Sequence, residues 1–96
     1  MIKILKLSYS EEIMGECSFN NGIYEISDPA RIIIFPTENG RTGMALMHLL
    51  PYSSDKKVSI NESFILYSCN PSEDVLSEYR ERFGSGIVTP KKEIII

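Results

Sequence analysis

Apolar and polar residues alternate along the first two thirds of this chain with the period of two that marks β-strands. The first such run is Ile2 to Leu7, whose alternation changes phase between Ile4 and Leu5. That change predicts a bulge, or burial on both faces. A polar turn, Ser8-Tyr9-Ser10-Glu11, leads into Glu12 to Phe19. Here Ile13, Gly15, Cys17 and Phe19 share one face, and Glu12, Glu16 and Ser18 the other. A glycine inside a strand marks a bend, a bulge or a close backbone approach, so Gly15 predicts a place where the sheet curls.

Asn20-Asn21-Gly22 is a short turn signal, because Asn and Gly tolerate positive φ. A third strand starts at Ile23, is interrupted at Asp28-Pro29 and resumes over Ala30 to Phe35. Proline donates nothing to a ladder, so Pro29 predicts an edge position or a bulge. After the turn from Pro36 to Gly40, Thr42 to Leu50 is apolar at both parities. Its Ala, Leu and Met content suits a helix, but Gly43 and Pro51 bracket it among strands, and it is assigned as the fourth strand. A polar loop, Tyr52 to Lys57, precedes Val58-Ser59-Ile60, and a break at Asn61-Glu62 precedes Ser63 to Cys69. That last segment is apolar on both faces through Phe64, Leu66, Ile65 and Tyr67.

A helix is predicted over about residues 71–83. Asn70 is placed to cap it, Pro71 suits its first position, and Glu73 can reach back to the cap. Val75, Leu76, Tyr79 and Phe83 form its apolar stripe, and Gly84 ends it. The tail over 84–96 reads as extended. The whole is one domain, 96 residues long.

Ten basic against thirteen acidic residues give a net charge of −3, which argues against a non-specific nucleic-acid binder but leaves room for a local patch. Lys56-Lys57 and Lys91-Lys92 are the clear basic pairs, and solvated loop or tail is their simplest reading. Cys17 and Cys69 lie in apolar strand patterns without a CxxC or Cys/His cluster, so buried free thiols are expected and no metal site. His48 is the sole histidine, placed among Met47, Leu49 and Leu50, where a packed or interface side chain is the expectation rather than a general base. Gly84-Ser85-Gly86 follows a helix, so it is neither a nucleophile elbow nor a phosphate cradle. No enzyme and no cofactor is expected. MIKILKL is too short for a signal peptide, and no apolar run approaches the roughly 20 residues of a membrane span.

Five short, strongly bent strands with a glycine in the second, followed by a helix, resemble the Sm-like fold shared by Sm, LSm and Hfq proteins. The chain is most similar to short Sm-like proteins of tailed phages, particularly marine phages. The resembling residues are Lys6-Leu7-Ser8, Glu11-Glu12-Ile13-Met14-Gly15-Glu16 and Asp28-Pro29-Ala30-Arg31-Ile32. They continue in Leu49-Leu50-Pro51-Tyr52-Ser53, Ile60, Asn70-Pro71-Ser72-Glu73 and the distinctive ending Phe83-Gly84-Ser85-Gly86-Ile87-Val88-Thr89-Pro90.

The resemblance implies a mainly β fold: a bent five-stranded antiparallel small barrel over about 1–69, with the C-terminal helix and tail. It implies a homo-oligomeric ring in which the fourth strand of one subunit pairs with the fifth of the next. The candidate contacts are Met44, Leu46 and His48 on one strand, and Ile65 and Tyr67 on the other. It also implies single-stranded RNA as a partner, with Asn20, Asn21 and Asn61, and Lys56 and Lys57, as candidate contacts. The chain departs from the RNA-binding pattern at Ile60-Asn61-Glu62-Ser63, where the expected arginine is missing and Glu62 adds negative charge. Turn formation is the competing role for the asparagines. The leading expectation is a ring-forming RNA-binding or scaffold module in the cytoplasm, that of the infected host if phage-encoded. The alternative is a homo-oligomeric protein or peptide-interaction module without RNA.

Overall fold

The computed structural model describes residues 1–9, 11–84 and 94–95. Its strands are β1 (Ile2–Leu7), β2 (Glu12–Asn20), β3 (Ile23–Pro36), β4 (Thr42–His48), β5 (Lys57–Asn61), β6 (Ile65–Cys69) and β7 (Ile94–Ile95). A short helix, α1 (Glu73–Tyr79), runs on into a π-helical turn over Arg80–Gly84. Asn21 (φ 51°) and Gly22 (φ 79°) form the two-residue turn between β2 and β3, both in the left-handed region that a tight hairpin needs.

The closed five-stranded barrel implied by the resemblance does not form. The strands follow an open path, β6-β1-β2-β3-β4-β7, with β5 attached to β3 beside it and all pairs antiparallel. Among the described residues no ladder joins the two ends of that path. With α1 packed against it, the domain is a mixed α/β fold rather than a small barrel.

The strand with the sharpest irregularity is β3. Ser27 faces Glu16 and Ala30 faces Met14, so Asp28 and Pro29 together stand opposite the single residue Gly15. This is a β-bulge, and it bends β3 in the middle of the sheet rather than at an edge. Asp28 takes φ 48° to make the bend. The two halves of β3 then serve different neighbours: Ile23 to Ser27 pairs with β5, and Ala30 to Pro36 with β4. Among the described residues β4 carries β3 on one side and β7 on the other, so it does not pair with β6 to close the path.

The bend gives the sheet two packed faces. Leu5, Leu7, Ile13 and Ile26 fill the inside of the curl, with Val58, Ile60 and Ile65 against them. Met14, Ala30, Met44 and Leu46 fill the other face, beneath Val75 and Tyr79 of α1. The phase change in β1 reflects this arrangement, with Ile4 packed toward the helix and Leu5 toward the curl.

Helix α1 begins two residues later than its sequence suggests. Ser72 is the cap, its hydroxyl accepting from the Val75 amide at 3.4 Å, and Asn70 instead accepts from Lys3 Nζ at 2.8 Å. Within α1, Tyr79 ties the helix to the bend: its hydroxyl donates to the Asp28 carbonyl at 2.7 Å and lies 3.3 Å from that of Ser27. Phe83 stacks on Tyr79 at 5.1 Å, and His48 meets Phe83 edge-on at 4.7 Å. Glu78, also buried on α1, makes no carboxylate hydrogen bond among the described residues. Of the tail, Ile94 and Ile95 pair with Met44 and Gly43, while residues 85–93 and 96 lie outside the described residues.

Two stability outcomes are expected. A Cβ at Gly15 would stand 2.5 Å from Ile26 Cγ2 and 2.8 Å from the Ser27 carbonyl oxygen. Gly15→Ala should therefore cost about 2 kcal/mol in urea unfolding, as overpacking in a rigid site does; an unchanged midpoint would show that the bulge is not tight. Burial, with the nearby Asp28 carboxylate, holds the Tyr79 phenol well above its ordinary 10.0. In the unfolded chain the phenol ionises first, so its contribution to stability is complete below about pH 10 and is lost as pH rises beyond it. Tyr79→Phe should cost about 1 kcal/mol near neutral pH, and its deficit against the parent should shrink in alkaline unfolding curves; a constant deficit would contradict this.

Candidate functional site

The feature that the fold leaves unsatisfied is β6. It pairs with β1 through Ile4–Cys69, Leu5–Ser68, Lys6–Tyr67 and Leu7–Ile65, with an irregularity between Lys6 and Leu7. Among the described residues its other edge has no strand beside it, because β6 ends the sheet path. Only Ile65 is partly buried; Leu66 is 63% and Tyr67 49% exposed, and Phe64, just before them, is 51% exposed. Large apolar side chains therefore stand exposed beside a strand edge whose outward backbone groups have no ladder partner among the described residues. The Tyr67 hydroxyl lies 3.4 Å from Glu12 Oε2. Partial desolvation and the Glu12 carboxylate keep that phenol in its neutral form, above its ordinary range.

The surroundings of this edge are acidic at its ends. Glu62 precedes β6 in the 3-10 turn Glu62–Phe64, and Glu73 and Asp74 follow it in the first turn of α1. All three are exposed.

The expected RNA surface does not assemble. Asn20 faces Ile23 and Ile23 faces Asn61, so the three asparagines do gather at one end of the sheet. Asn21 serves the turn through its positive φ, and Asn61 caps the 3-10 turn by accepting from the Ser63 amide at 2.9 Å. The Glu62 carboxylate lies beside Gly22 at the same end, where a phosphate would be repelled. Lys56 and Lys57 sit at the other end of β5, and Lys57 is paired with Glu25 at 3.3 Å.

The expected ring contacts do not form one surface either. Met44 and Leu46 are core residues under α1, at 4% and 0% exposure. Ile65 packs on the inside of the curl, and only His48 and Tyr67 are exposed, on strands separated by three others in the sheet path. The Sm-type ring and its RNA function therefore give way to a single-domain fold without an interface of that kind among the described residues. The sequence signal at this edge is the two-sided apolar pattern of Phe64 to Tyr67. In place of a buried ring contact it marks an open edge.

Both cysteines are free, and they differ in environment. Cys17 is partly buried and its thiol is pushed up by that burial, whereas Cys69 is exposed, contrary to the expectation of two buried thiols. Among the described residues no group of three or more His, Cys, Asp or Glu is arranged to hold a metal, and no helix is long and apolar enough to cross a membrane. No protein-family model matches the chain, and no curated protein matches it.

In the native protein one thiol should react quickly with a disulfide reagent and the other at least about tenfold more slowly, with both fast in denaturant. Mass mapping should place the fast adduct on Cys69; a fast Cys17 would mean that β2 opens readily.

Proposed function

We propose that this protein is an interaction module that accepts an extended segment of a partner protein along the free edge of β6. The observation that carries this reading is the exposure of Leu66 and Tyr67 on a strand that, among the described residues, has ladder hydrogen bonds on one side only. A bare edge is a template for strand addition, and soluble proteins ordinarily blunt such edges with charge or cover. Within β6 there is neither, since its five residues are Ile-Leu-Tyr-Ser-Cys.

The chemistry of the partner follows from the ends of the strand. Glu62 on one side and Glu73 and Asp74 on the other favour an apolar segment flanked by lysine or arginine. They also disfavour a second copy. Antiparallel pairing of β6 with itself about Tyr67 would set Glu62 of each copy beside residues 72 and 73 of the other, bringing acid against acid.

A nine-residue peptide alternating valine and lysine, titrated into the labelled protein, should shift the Ile65–Cys69 amides saturably. Its valine–glutamate counterpart should not. Leu66→Lys should weaken the first peptide about tenfold or more, through lost apolar burial and like charge. Absence of saturable shifts on β6, or their concentration on another surface, would overturn the reading. So would a molecular mass that rises with concentration and falls back in Leu66→Lys, which would assign the edge to a second copy.

A further inference from the structure

The bend of β3 creates a second feature that strand addition does not use. Between the bend and the loop that joins β4 to β5 lies a cleft of about 270 Å³. Pro29, Leu50 and Val58 supply its apolar lining, and Asp28, His48 and Asp55 bring polar groups to it. It lies at the opposite end of β5 from the asparagine turns and away from β6 in the sheet path.

The cleft is held in shape from behind. Asp28 sits at φ 48°, a left-handed conformation that a residue with a side chain keeps only where neighbours enforce it. Here the Asp28 amide donates to the Lys56 carbonyl at 2.7 Å, and its carbonyl accepts from the Tyr79 hydroxyl at 2.7 Å. The Leu49 amide donates to the Pro29 carbonyl at 3.1 Å, fixing the start of the loop. His48 is backed by Phe83, which in turn stacks on Tyr79. Helix α1 and the turn that continues it thus position Asp28 and His48 at the cleft.

We infer that this cleft binds a small organic cation, an ammonium group carried on a compact apolar body. Among the described residues neither the Asp28 nor the Asp55 carboxylate makes an ion pair, and both belong to short side chains on backbone fixed by the bend and by the Asp55 amide's bond to Ser53 Oγ at 3.0 Å. Lys56 also borders the cleft, but its charge rides on a long side chain that can turn to solvent. Two carboxylates on short side chains against one ammonium on a long one leave the cleft negative. The apolar lining and the volume match a single ring with a short arm.

Three probes of one shape separate the contributions: benzylamine, benzyl alcohol and benzoate. In a titration followed by NMR, benzylamine should shift the His48 ring protons and the Asp28, Ser53 and Asp55 amides saturably, with a dissociation constant of order millimolar. Benzyl alcohol should bind about fivefold or more weakly, and benzoate should give no saturable shift there. Asp28→Asn keeps a side chain that tolerates positive φ, so it should retain the fold and weaken benzylamine about fivefold; Asp55→Asn should act in the same direction. Equal binding of benzylamine and benzyl alcohol would reduce the site to an apolar crevice, and preference for benzoate would make it a lysine-governed anion site. Either result, or no saturable benzylamine shift, overturns the inference even if a variant fails to fold.

Discussion

Gly15 stands opposite Asp28 and Pro29, one residue against two, and there is room for that mismatch because Gly15 has no side chain. Any Cβ there would enter the space of Ile26 and the Ser27 carbonyl. Most other features of the domain follow from this close approach. It bends β3 at its centre, assigns the two halves of that strand to different neighbours, and sets Asp28 in the left-handed region. Proline on the bulged strand is consistent with it, because the bulge interrupts the ladder where Pro29 has no amide to give.

Helix α1 makes the bend durable. A bulge alone weakens a ladder locally, since the extra residue leaves a backbone group unpaired. Tyr79 supplies the missing donor at Asp28, and Val75 and Tyr79 close the apolar face that the bend exposes. A single helix of seven residues is marginal in water by itself. It persists here because its buried side chains complete the sheet, so helix and bend stabilise each other rather than forming independently.

Much of this arrangement was legible in the chain. The alternation around Gly15, the Asn21-Gly22 turn and the Asp28-Pro29 break each carry a local backbone requirement, and local requirements are visible at the residues that meet them. Register is different. That Asp28 and Pro29 would oppose Gly15 depends on a pairing between distant segments, and so does whether the two ends of the sheet meet. Strand order and likeness, on which the expectation of a closed barrel and ring rests, do not contain that information. The helix start moved from Asn70 to Ser72 for a similar reason: both residues can cap, and the contact of Asn70 with Lys3 is a tertiary one. The cleft was invisible because its members come from the bend, the end of β4 and the following loop, and none belongs to a sequence motif.

The two strands that are apolar at both parities show where pattern reading stops. In β4, Met44 and Leu46 go under the helix and Ala45 is buried as well, so cover comes from within the chain. In β6 the same pattern meets no cover among the described residues, because β6 ends the sheet path and its neighbour β1 already has β2 on its other side. A two-sided apolar strand therefore states a need for burial without saying which molecule meets it. For β6 the choice falls to electrostatics: acidic groups beyond both ends disfavour its pairing with its own image and favour a strand of opposite charge.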